Sequence, residues 1–147
     1  MCKRNKINMV TKRCFALMLA AGLVFAGGHS AKASSHSYSG KVLTLGDSVK
    51  LTPSVTKTNK TRTDAVVTMN VAIPSGCTVS AYVKNAKDNR VTEGDAVKFR
   101  GTKSGATKTM PYMEGKGKKG NDFYLVVALE NGSQATYIKG FSCIFIA

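Results

Sequence analysis

The chain has 147 residues, with 22 Lys and Arg against eight Asp and Glu for a formal charge of +14, four cysteines, two histidines and no tryptophan. Six of the cations and none of the acids lie in residues 1–33, so the remainder keeps a surplus of eight positive charges. A length of this order supports one core rather than several domains, and the scarcity of histidine argues against a structural zinc site or a Ser–His–Asp triad.

The chain opens on an export pattern. Residues 1–13 carry five cations and no acid, the run CFALMLAAGLVFAGG over 14–28 is apolar, and Ala31-Lys32-Ala33 puts small residues where a signal peptidase reads. The run is shorter than the roughly 20 residues a spanning helix needs, so residues 1–33 read as a helical secretory signal peptide cut after Ala33. Thr11-Lys12-Arg13 before Cys14 does not form a lipobox. The expected product is secreted, or held at the cell wall by non-covalent contacts alone.

Residues 34–40 (SSHSYSG) are small and polar, which predicts a flexible leader before a single domain over 41–147. Val42–Leu45 and Val49–Leu51 flank Gly46-Asp47-Ser48, the chemistry of a tight hairpin. The polar segment 56–64 (TKTNKTRTD) reads as a loop or a solvent-facing strand extension, and its Lys57, Lys60 and Arg62 form a candidate anion-contacting patch. Val67, Met69, Val71 and Ile73 then alternate with polar residues as a half-buried strand does, and Val79, Ala81 and Val83, followed by Val97 and Phe99, do the same.

Residues 115–120 (GKGKKG) concentrate Lys116, Lys118 and Lys119 at what reads as a mobile hairpin tip, with Tyr112 beside it as a further candidate contact. The strand over 122–130 is apolar on both faces, which places it centrally. Asn131-Gly132 after it predicts an antiparallel hairpin with the last strand, about 134–146, where Gly140 predicts a bulge or bend. No stretch beyond the signal shows a helical apolar period. The fold expected is therefore all-β, a small antiparallel sandwich of about seven strands, with a small barrel as the alternative.

Cys2 and Cys14 lie in the export signal, which leaves Cys77 and Cys143. Outside the cell these two can form a disulfide closing a long loop, worth about 4 kcal/mol on a chain-entropy estimate. The acids sit mostly at turns and strand ends, and no catalytic constellation, metal site or cofactor motif assembles. A non-enzymatic reading follows.

From about Thr56 onward the layout resembles small secreted Gram-positive proteins of unknown function that are sometimes found beside bacteriocin-type export systems. The likeness is carried by TKTNKTRTD at 56–64, TVSAYVKN at 78–85, GNDFYLVVALEN at 120–131 and Ile138-Lys139-Gly140-Phe141-Ser142. It implies a secreted β-sandwich and transfers no catalytic residue. The functional expectation is an envelope-associated binding module whose basic loops contact an anionic wall polymer or membrane surface, or whose sheet edge holds a protein, without specific nucleic-acid recognition. The alternative is a bacteriocin-like effector acting on competitor envelopes.

Overall fold

The computed structural model describes residues 34–132 and 137–147. The expected signal peptide, with Cys2 and Cys14, lies outside the described residues. Within them the chain is all-β, with nine strands: β1 (Ser35–Thr44), β2 (Ser48–Lys50), β3 (Val55–Thr56), β4 (Asp64–Met69), β5 (Cys77–Asn85), β6 (Val97–Arg100), β7 (Thr107–Pro111), β8 (Asp122–Gly132) and β9 (Tyr137–Ile146). They form two antiparallel sheets, β1-β9-β4-β7 and β2-β8-β5-β6, with β3 also paired to β8. This is a sandwich rather than a barrel.

Alternation builds the core. Ala65, Val67 and Met69 of β4 point inward, as do Val79, Ala81 and Val83 of β5, Phe99 of β6, and Phe141, Cys143 and Phe145 of β9. Phe123, Leu125, Val127 and Leu129 of β8 face the same interior, while Val126 is buried on the outer face. The central place expected for that strand is where it sits. Nine residues of β5 pair along one edge of β8, and β2 and β3 divide the other.

Because both edges of β8 are taken, the hairpin expected at Asn131-Gly132 does not form. Asn131 and Gly132 instead extend β8 opposite Thr78 and Cys77, past a bulge in the ladder, and β9 belongs to the other sheet. The hairpin expected at 46–48 also fails. Gly46-Asp47-Ser48 is a crossing between sheets, with Asp47 N–H donating to Thr44 O and Gly46 N–H to Leu129 O. The glycine-rich tip at 115–120 likewise joins β7 in one sheet to β8 in the other. Among the described residues, β5 and β6 are the only consecutive strands that pair directly.

The leader expected at 34–40 is a strand. β1 pairs with β9 from Ser35 opposite Ile146, and Tyr38, 2% exposed, sits in the core with its hydroxyl donating to Pro53 O at 2.6 Å. Two bulges make this possible. Between Tyr38 and Lys41 one extra residue lies on β1, and between Phe141 and Ile138 one extra residue lies on β9, so the register slips once and is then restored. Gly40 and Gly140, both with φ of 66°, sit at these two places, where a residue with a Cβ is strained. The bulge expected at Gly140 is present.

Cys77 and Cys143 are both buried and free, so the expected disulfide is not formed in the structure. Cys77 opens β5 in one sheet opposite the last residue of β8. Cys143 lies well inside β9 in the other sheet, opposite Tyr38 and Met69. Each acts as a small apolar side chain. Burial pushes the Cys143 thiol from its ordinary 9.0 up to about 12, and burial, with Cys143 and Tyr124 nearby, raises Tyr38 from 10.0 to about 12.

These features predict two outcomes. Tyr38→Ala will cost about 3–5 kcal/mol in urea denaturation, as expected for emptying an aromatic site in a core, whereas a change in a loose leader would leave the midpoint where it was. Both raised groups are protonated in the fold above the pH at which they ionise in the unfolded chain, so their contribution is intact below about pH 9 and is lost as pH climbs toward 12. Melting temperature will therefore begin to fall near pH 9. In Cys143→Ala that fall will start about one unit later, where Tyr38 and Tyr112, both raised by burial, take over.

Candidate anion-binding loops

Three connections meet at the end of the sandwich where β4 and β8 begin. Backbone hydrogen bonds knit them together. Lys57 N–H donates to Asn121 O at 3.0 Å and Gly120 N–H to Lys57 O at 2.8 Å, which joins the 57–63 loop to the 112–121 loop. Tyr112 N–H donates to Thr63 O at 3.0 Å, Met113 N–H to Val91 O at 2.9 Å and Glu93 N–H to Pro111 O at 2.8 Å, which adds the segment around 91–93. Backbone pairing ties the 115–120 segment to its neighbours at both ends, as a crossing between sheets rather than a hairpin tip.

Lys57 is the hub of this arrangement. It is 1% exposed, its Nζ donates to the Arg62 carbonyl, and the ammonium lies 4.4 Å from the centre of the Tyr112 ring. The Tyr112 ring in turn packs on Phe123 with centroids 5.0 Å apart. Lys57 is therefore not the surface contact expected of it. Its charge serves to close the 57–63 loop over an aromatic face, a cation–π contact that gains strength as water is excluded. Burial depresses its pKa below 10.5, Arg62 adds to that, and Asp64 opposes it.

The remaining expected residues fall into place around this hub. Lys60, Arg62, Tyr112 and Lys118 border one depression of about 250 Å³, together with Thr63, Met113, Glu114 and two glycines. Lys60, Lys118 and Lys119 border a second that shares Lys60, Gly117 and Lys118 with the first. Two basic clusters more than fifty residues apart in sequence thus share one surface. Lys116 is exposed nearby but outside both linings, and Tyr112, 8% exposed, offers only its rim.

Sequence reasoning missed Gly117. A Cβ there would come within 2.5 Å of Tyr112 Cγ, so a hydrogen at this position is what lets the loop lie flat on the ring. Nothing local in GKGKKG distinguishes the middle glycine, because its neighbour is set by tertiary structure.

A second cationic region, on the other sheet face, is arranged differently. On the outer face of the second sheet Lys50 and Lys84 both bind Asp88, at 3.0 and 3.1 Å, and Lys98 binds Glu130 at 2.9 Å. Those lysines hold both carboxylates below their usual range. Lys50 also covers Tyr124 and Arg90 covers Tyr82. Such exposed pairs add little to stability, but they commit the charge of Lys50, Lys84 and Lys98 to carboxylates of the chain itself. Among the described residues Lys60, Arg62, Lys118 and Lys119 have no ion pair. A neighbouring depression lined by Asn85, Ala86, Lys87, Asn121 and Asp122 has balanced charge, and Asp122 is already bonded to Thr56.

Among the described residues no three His, Cys, Asp or Glu side chains converge as metal ligands. Compared with known protein families, curated proteins and solved structures, the chain matches none of them. The arrangement is chemically a set of hydrogen-bond donors and positive charges on a fixed scaffold, suited to holding acceptor-rich anions.

Gly117→Ala will force Tyr112 to shift and destabilise the protein by about 1–3 kcal/mol, as overpacking does. The check is chemical denaturation combined with the near-ultraviolet tyrosine signal, which will change at this variant even where the protein stays folded.

Proposed function

We propose that this chain is an exported, non-enzymatic binding module that holds an anionic polymer of the Gram-positive envelope on its 57–63 and 112–121 loops. The observation that carries the reading is the meeting of Lys60, Arg62, Lys118 and Lys119 around two joined depressions, with no carboxylate partner among the described residues. An anion bound there displaces water and counterions rather than an internal acid, so its charge is attracted at little cost to the fold. The export pattern over 1–33 and the surplus of positive charge on the rest of the chain support a role outside the cell, where wall polymers are the abundant polyanions.

The hydrogen-bonded backbone of the loops supports the same reading. A preordered surface loses less conformational entropy on binding than a floppy one. Electrostatic attachment of this kind is sensitive to salt, since screening extends over only about 8 Å at physiological ionic strength.

Purified protein is expected to be retained on teichoic-acid-bearing walls at low salt and released by sodium chloride. Lys60→Gln, Lys118→Gln and Lys119→Gln combined will reduce retention at least about tenfold, with an unchanged melting temperature, because all three side chains are exposed. Equal retention of the triple variant would sink the proposal. Permeabilisation of related cells at low salt, without wall retention, would favour an antagonistic effector instead.

A further inference from the structure

Arg62 and Tyr112 leave an imbalance in otherwise well-paired loops. Arg62 Nη1 and the Tyr112 hydroxyl are both buried, and neither has a hydrogen-bond partner. Buried polar groups in native proteins are nearly always matched, and an unmatched one calls for an explanation such as a missing ligand. The two residues are held side by side, since Tyr112 N–H binds Thr63 O, and Lys57 reaches across to bind Arg62 O while resting on the Tyr112 ring. Both border the same depression as Lys60 and Lys118.

Cationic donors outnumber the single carboxylate, Glu114, in that lining. A guanidinium and two ammonium groups have donors and no acceptor, and a tyrosine hydroxyl can add another donor. Whatever completes the site must bring several acceptor oxygens and negative charge. Its size of about 250 Å³ falls below the usual range for whole drug-sized ligands, which suits one small group rather than a sugar ring. The adjoining depression, which reuses Lys60 and Lys118 and adds Lys119, is positioned for the next charge along the same chain.

Glu114 is the one carboxylate among the described lining residues, and it lowers the positive charge of the seat. Set against Lys60, Arg62 and Lys118 it still leaves the lining positive, and a phosphodiester, with one charge per linkage, can place successive charges in this depression and the adjoining one. We propose that the depression bordered by Lys60, Arg62, Tyr112 and Lys118 is an oxyanion seat that takes one backbone phosphodiester of a phosphate-linked polymer. This rests on the binding-module reading and narrows it, distinguishing phosphate-linked chains from polymers charged through carboxylates.

The test uses a synthetic poly(glycerol phosphate) oligomer, poly-glutamate of the same charge and inorganic phosphate as probes, titrated against the full exported domain by calorimetry. Arg62→Lys keeps the charge and loses the planar fork, and Tyr112→Phe keeps the ring and loses the hydroxyl. Each is expected to weaken oligomer binding about tenfold, the effect of one lost charge-assisted hydrogen bond, and to leave poly-glutamate binding unchanged. Glu114→Gln is expected to tighten oligomer binding. Without ligand, Tyr112→Phe should melt at or above the native temperature, because it removes an unmatched buried hydroxyl, and this separates lost binding from lost folding.

If poly-glutamate binds as tightly as the oligomer and neither Arg62→Lys nor Tyr112→Phe alters binding, the seat is refuted while the broader module survives. If inorganic phosphate binds as tightly as the oligomer, the assignment to a polymer diester is overturned. If the lysine triple variant also binds the oligomer as the native protein does, the module reading falls with it.

Discussion

The double occupation of β8 governs this fold. An antiparallel strand offers two rows of backbone donors and acceptors, and here β5 fills one row while β2 and β3 share the other. No edge remains for the strands that precede and follow β8 in sequence. β7 and β9 must therefore cross to the opposite sheet, and their inward side chains close over Phe123, Leu125, Val127 and Leu129. Apolar residues on both faces of β8 suit it to a position covered on either side.

The crossing connections also create the candidate site. A hairpin would have kept 115–120 beside its own strands, but a crossing carries it over the end of the sandwich to where the 57–63 loop departs. Hydrogen bonds between Lys57 and both Gly120 and Asn121 then fix the meeting. Lys57 gives up its place at the surface to do this. A buried ammonium is tolerated because a carbonyl accepts from it and an aromatic face lies against it, two of the few ways to offset the loss of water around a charge.

Much of the architecture was legible in the sequence because period-two alternation is a direct record of which side chains face a core. β4, β5, β6, β8 and β9 all declare themselves this way. β1 does not, since its inward set is His36, Tyr38, Lys41 and Leu43, and the phase of alternation changes at Gly40. β7, with Met110 as its one buried residue, gives no pattern to read. The failed hairpins share a cause, because turn chemistry at 46–48 and 131–132 reports that the chain can bend and not which sheet it joins next. The clusters around Lys60 and Lys118 were visible as charge, but their union and the burial of Lys57 depend on contacts between distant segments.

The matched bulges of β1 and β9 work as a vernier. One strand gains a residue at Gly40 and the other regains it at Gly140, so the pairing from Ser35 to Tyr38 is brought back into step with that at Leu43 and Thr44. Neither irregularity is independent of the other. A family descended from this chain would be expected to keep or discard the two glycines as a pair, since losing one alone would turn Tyr38 and its neighbours from the interior toward water.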